Sequence, residues 1–210
     1  MRILAIDSSI RNIGWAILET DADIDHGEGL LGSGTLRTKE VNDPDLVYEI
    51  RDLLKNLIKL NNQDFPEIAP LVDVDPAAAP YSKLNAEALA GLRIRFAVIE
   101  KAEGFTYSRS TKGGGRLPGK TLNAKEMQRN HFAVGIIAAT LAEMVETIQF
   151  VTPKEWKGST SKATTRLVVN NTFSLKLLDY HNDQADAIAI GCWWIRRWTL
   201  DQKIAAQENE

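Results

Sequence analysis

Five short apolar runs, and the way they alternate with helical patterns, bound what this chain can fold into. RILAID, Arg2 to Asp7, is rich in strand formers; the turn-prone SSIRN follows, then IGWAIL, Ile13 to Leu18, and the pair reads as a β-hairpin. A third strand fits LLGSGTLRT, Leu30 to Thr38. Pro44 opens a segment in which Leu46, Ile50, Leu53, Leu54, Leu57 and Ile58 recur three and four apart, the period of an amphipathic helix. IRFAVIE, Ile94 to Glu100, is a fourth strand, apolar, partly β-branched and ending in a carboxylate; IQFV, Ile148 to Val151, is a fifth. Helices are predicted from Asn123 to about Glu146, at TPKE with Thr152 as N-cap and Glu155 as its capping partner, near Lys162, and from Asp183 through WWIRRW. Three strands, a helix, then alternating strand and helix imply an α/β fold with a five-stranded mixed sheet flanked by helices.

With 210 residues and 44% apolar content the chain can build one large core, so a single domain over residues 1–210 is expected. Two stretches interrupt it. Residues 61–92 lack a period and contain DFPEIAPLVDVDPAAAP, whose prolines suit an irregular insertion, and residues 104–122 form a basic, Gly-rich loop. A single cysteine, Cys192, rules out a disulfide framework and fits a reducing compartment. No apolar run suits a signal peptide or a membrane span, so a cytoplasmic protein with no membrane partner is expected. The net charge of -3 argues against an all-over basic nucleic-acid binder. Its distribution is uneven, however: Lys101 to Arg166 carries eleven basic residues against five acidic ones, which suggests one face for a polyanion.

GGRLPGKT, Gly114 to Thr121, matches the phosphate-cradle pattern G-x-x-x-x-G-K-[ST] at every specified position. A working cradle needs a buried strand running into the first Gly and a helix starting at the Lys-Thr pair. FTYSRSTK upstream contains no such strand, and the better helix start downstream is Asn123, with Glu126 three positions on. The stretch is better read as part of a flexible, basic loop, whose Arg109, Lys112, Arg116 and Lys120 can attract phosphates.

Four carboxylates stand in telling places. Asp7 ends the first strand, Glu100 ends the fourth, and Asp183 and Asp186 share one face of the last helix by their i, i+3 spacing. Were the first and fourth strands neighbours, Asp7 and Glu100 would emerge side by side beneath that helix. Carboxylates brought that close want cations, and all-oxygen ligands select hard ones such as Mg²⁺ or Mn²⁺. A pair of such ions about 4 Å apart suits hydrolysis of a phosphodiester. Each acid also has a plain structural reading: Asp7 can seed an Asp-Ser turn, Glu100 can pair with Lys101 or a loop Arg, and Asp183 and Asp186 can answer a helix dipole.

Taken together, these segments resemble the RuvC-type Holliday-junction resolvases of the RNase H-like superfamily. ILAIDSSIRNIGWAIL is similar to that family's opening hairpin, LGSGTLRT to its third strand, FAVIEKAEGF to the strand carrying its catalytic Glu, and HNDQADAIAIG to its closing D-x-x-D-A helix. Ser8-Ser9 stands where many members have Pro-Gly. The resemblance implies an RNase H-like sheet on which Asp7, Glu100, Asp183 and Asp186 bind two Mg²⁺ ions, with Mn²⁺ able to substitute. It implies that Lys157 and Lys162 lie near the scissile phosphate, Lys162 assisting catalysis, and that Phe105 or Tyr107 contacts bases at the crossover. The implied activity is cleavage of four-way junctions by a homodimer that makes paired symmetric nicks in branched DNA. The helix over 123–146, with its Gly135 and Ala138-Ala139 surface, is the candidate subunit contact or a plain core helix. Two other readings stay open: a junction-binding protein that has lost cleavage, and an ATP-binding lobe of the actin and sugar-kinase type, which would need a second lobe.

Overall fold

The first two strands are buried on both faces, so the sheet they begin must be covered twice. In a computed structural model, which describes residues 1–8, 11–38, 43–62, 94–101 and 124–208, that is the outcome. Strands β1 (Arg2–Ser8), β2 (Asn12–Glu19) and β3 (Leu30–Arg37) form an antiparallel meander. Helix α1 (Asp43–Asn62) precedes β4 (Ile94–Glu100), which lies parallel to β1 on its other side; β5 (Thr147–Val151) adds in parallel to β4. The sheet order is β3-β2-β1-β4-β5. Helix α2 (Ala124–Ala142) leads into β5, and α3 (Pro153–Trp156), α4 (Lys162–Phe173) and α5 (Asn182–Gln207) follow it.

The two-residue period of a strand sorts the core into two layers. Leu4, Ile6, Ile13, Trp15, Ile17, Ala97 and Ile99 face α1 and α2, where Ile50, Leu54, Leu57, Ile58, Ala133 and Ile137 meet them. Ile3, Ala5, Ala16, Leu18 and Val98 face the opposite way and pack with Val169 and Phe173 of α4 and Ala185, Ile188 and Ile195 of α5. Each fully buried Ile or Leu contributes about 1.5–3 kcal/mol relative to exposure. The periodicity of α1 therefore placed its buried side correctly.

The Trp-rich end of α5 is packing. Trp194 is buried, its ring stacked 5.4 Å from that of Trp198, and its indole N–H donates to Gln149 Oε1 at 2.7 Å. Helix α2 stops at Ala142, before the predicted end at Glu146, because the chain must turn there to start β5. Glu146 is held at that turn, with its backbone N–H donating to the Arg95 carbonyl and its carboxylate accepting from Arg95 Nε at 2.8 Å. Of the predicted insertion over 61–92, only Asn61 and Asn62, at the end of α1, are among the described residues, and the loop over 104–122 is outside them. No helix among the described residues is long and apolar enough to cross a membrane.

Helix α5 crosses the sheet at close range. A Cβ added to Gly14 of β2 would lie 1.9 Å from the Asp183 carbonyl oxygen, and one added to Gly191 would lie 2.4 Å from Leu18 Cδ1. The Gly14 clash is with backbone, so the helix start itself would have to move. Gly14→Ala should therefore cost about 1–3 kcal/mol, seen as a drop of roughly 2–12 °C in Tm by circular dichroism. An unchanged Tm would contradict this packing.

Candidate active site

Strand parity aims two of the four acids at one place. Asp7 continues the side of β1 that carries Ile3 and Ala5, and Glu100 continues the side of β4 that carries Phe96 and Val98; both sides face α5. The last registered β1–β4 pair is Ile6 with Ile99, so Asp7 and Glu100 are the next residues on adjacent parallel strands. Ser8 ties the two strand ends, its hydroxyl donating to the Glu100 carbonyl. Across β1 and β2, Asp7 is registered against Gly14, whose missing side chain lets the first turn of α5 descend to it. Asp183 and Asp186 thus arrive from above, with Asp186 and Asp7 both buried.

The charges respond to one another. Burial pushes the Asp7 carboxyl well above its usual range, and the neighbouring Glu100, Asp183 and Asp186 push it further, against the opposing pull of Lys162. Glu100 is also raised, first by burial; a hydrogen bond from Trp156 works against that, and Asp186 adds to it. Burial would lower Lys162, but Asp7, Asp183 and Asp186 together outweigh it and hold its ammonium protonated beyond the ordinary range.

Two lysines neutralise part of this charge. Lys157 Nζ sits 2.9 Å from each Asp186 oxygen and is largely buried, its side chain 12% exposed. Lys162 Nζ reaches Asp183 Oδ1 at 3.3 Å and Asp186 Oδ2 at 3.7 Å, but its side chain is 56% exposed. Lys157 is therefore a fixed counter-ion and Lys162 a cation that solvent or a ligand can reach.

Among the described residues no three acidic, imidazole or thiol side chains are grouped closely enough to hold a metal ion; the ammonium groups engage the α5 acids instead. The donor set nevertheless fits a divalent cation of the Mg²⁺ type. It offers only carboxylate oxygens, and four acids against two lysines leave negative charge that a hard cation would neutralise.

Of the residues predicted from sequence, Asp7, Glu100, Asp183, Asp186, Lys157 and Lys162 come together. Phe105, Tyr107, Arg109, Lys112, Arg116 and Lys120 lie outside the described residues. Sequence reasoning missed Trp156, whose indole Nε1–H donates to Glu100 Oε2 at 2.6 Å, and Ser8. The signal for Trp156 was its place between a capping box and Lys157, and an indole N–H that needs a partner when its ring is half-buried.

The backbone was compared with solved structures. The RuvC of Thermus thermophilus aligns over 95% of this chain and 98% of its own, with a TM-score of 0.56 and 17% identity. The T. thermophilus RuvC solved in complex with a Holliday junction substrate aligns over 94% of this chain and 96% of its own, with a TM-score of 0.57 and 15% identity. The fold is that of RuvC. No protein-family model matches the chain, and no curated protein matches it. A RuvC fold persisting at such identity fits a core defined by strand parity and helix packing more than by particular residues.

Because a raised carboxylate pKa means that the folded chain holds its proton more tightly than the unfolded chain, stability falls as pH rises from about 4 through the raised value of Asp7. In chelator, Asp7→Asn should therefore melt above the wild type at pH 7, and the gap should close below about pH 4. Adding Mg²⁺ should raise the Tm of the wild type more than that of the variant. A variant less stable than the wild type at pH 7 in chelator would contradict the electrostatics described.

Proposed function

We propose that this protein is a divalent-metal-dependent endonuclease that cleaves phosphodiester bonds in branched DNA and resolves four-way junctions. The observation that carries the reading is the convergence of Asp7, Glu100, Asp183 and Asp186, from two adjacent parallel strands and one helix, on one partly buried site close enough for their charges to interact. The RuvC fold supports it, since one of the proteins that shares that fold was solved with a Holliday junction substrate.

In this reading the four acids hold two Mg²⁺ ions, for which Mn²⁺ substitutes. When bound, the metal supplies a water activated for attack and charge to stabilise the leaving oxygen. The chain's own residues do the rest. Asp7, at the floor of the site, and Glu100, at its side, fix the ligand oxygens from the rigid sheet. Asp183 and Asp186 close the site from α5. Lys162, accessible and charged, is placed to meet the phosphate being cut, and Lys157 holds Asp186 in orientation. The loop over 104–122, which begins a few residues after Glu100, grips the DNA backbone through Arg109, Lys112, Arg116 and Lys120, while Phe105 or Tyr107 meets the bases at the branch.

Two copies are needed for paired symmetric nicks. Helix α2 offers a surface for the contact: Phe132 is exposed, and a Cβ at Gly135 would meet nothing within 4 Å among the described residues, so an approaching helix can come close there.

Labelled four-way junctions, flaps and forks incubated with the wild type in Mg²⁺ test the reading. Four-way junctions should be nicked at symmetric positions, and chelator should abolish cutting. Asp7→Asn should bind the junction with unchanged affinity and cut it more than the 10–100-fold more slowly that is typical when an outer-shell partner is removed. Tight junction binding by the wild type without nicks in either Mg²⁺ or Mn²⁺ would replace the nuclease by a junction-binding protein.

A further inference from the structure

Glu100 differs from the other three acids. It has the longest side chain of the set, with one more rotatable bond than an Asp, so it loses the most freedom when it is fixed in one orientation. Something must hold it. Its backbone is tied by the Ser8 hydroxyl, and its carboxylate accepts the indole N–H of Trp156 at 2.6 Å, a short bond to a charged acceptor.

Trp156 is itself firmly placed. Thr152 follows β5 and caps α3: its hydroxyl accepts from the Glu155 backbone N–H at 3.3 Å, and its own backbone N–H donates to Glu155 Oε2 at 2.6 Å, with Pro153 at the first turn. This fixes the single turn that ends in Trp156, whose ring packs against the core beneath α4 and α5. The next residue, Lys157, takes Asp186. One turn of chain therefore holds two of the four acids, one by a neutral donor and one by a cation. The two arrangements are not equivalent: an ammonium competes with an incoming cation for the oxygens it holds, whereas an indole N–H occupies one lone pair of Oε2, and Oε1 accepts no hydrogen bond from the described residues.

We propose that Trp156 is a positioning residue for divalent-metal binding: its indole N–H fixes Glu100 Oε2 and so presents Oε1 to the ion. This rests on the nuclease reading above, and it assigns the orienting role to the N–H and not to the bulk of the ring. A ring that served packing alone would be replaceable by any aromatic of the same shape.

The test uses full-length protein with Trp156→Phe, and with Trp156 replaced by benzothienylalanine, which keeps the bicyclic shape and exchanges the N–H for sulfur. Three readouts are taken: Mg²⁺ dependence of junction cleavage, calorimetric Mn²⁺ binding without DNA, and the Trp156 indole resonance in ¹H–¹⁵N spectra. Both replacements should raise the half-maximal Mg²⁺ concentration and the Mn²⁺ dissociation constant by roughly 10–100-fold, with junction binding unchanged and much of the rate restored at high Mg²⁺. The Trp156 indole resonance should move on adding Mg²⁺, and Glu100→Gln should abolish that movement. A benzothienyl protein with wild-type metal affinity would overturn the proposal while leaving the nuclease reading intact. A wild type that cuts no branched DNA, yet whose indole resonance answers Mg²⁺ through Glu100, would overturn the nuclease reading and sustain the role of Trp156. An indole resonance indifferent to Mg²⁺ would overturn that role.

Discussion

The four acids repel one another, and the fold holds them together against that repulsion. What holds them is packing. Helix α5 lies so close to the sheet that Gly14 and Gly191 have no room for a side chain, and its first turn sits directly over the strand position opposite Asp7. The two layers of apolar side chains on either face of β1, β2 and β4 fix where α5 can lie. Burial then raises the electrostatic stake, because charges withdrawn from water interact more strongly in either direction. The raised carboxyls of Asp7 and Glu100 are the signature of a site assembled by apolar contacts elsewhere in the molecule.

The two lysines answer that repulsion differently. Lys157, buried and bound to both oxygens of Asp186, behaves as part of the scaffold; Lys162, mostly exposed and at longer range, is free to exchange partners. In the proposed nuclease, Lys162 is the ammonium that would give way to an incoming ion, and Lys157 the one that would stay on Asp186.

Much of this was legible in the sequence, for physical reasons. The period of two in RILAID and IRFAVIE gives each strand its faces, and with them the common side of Asp7 and Glu100; the i, i+3 spacing gives Asp183 and Asp186 theirs. The apolar stripe of α1 matches the buried residues one for one, apart from Leu53, which is partly buried. What could not be read is what depends on tertiary contact. The bond from Trp156 to Glu100 joins residues 56 apart, so the capping box and Lys157 on either side of Trp156 mark its turn but not its partner. The division of labour between Lys157 and Lys162 rests on depth, which spacing does not encode. The need for Gly at position 14 comes from a helix more than 160 residues later in the chain, as its contact with Asp183 shows.

Crystals of the wild type grown with Mn²⁺, with data collected at the manganese absorption edge, would measure the central claim most directly. The account predicts two anomalous peaks about 4 Å apart, in contact with oxygens of Asp7, Glu100, Asp183 and Asp186, with Lys162 drawn away from the α5 acids. Manganese bound elsewhere, or absent while both lysines keep the pairings described here, would contradict it.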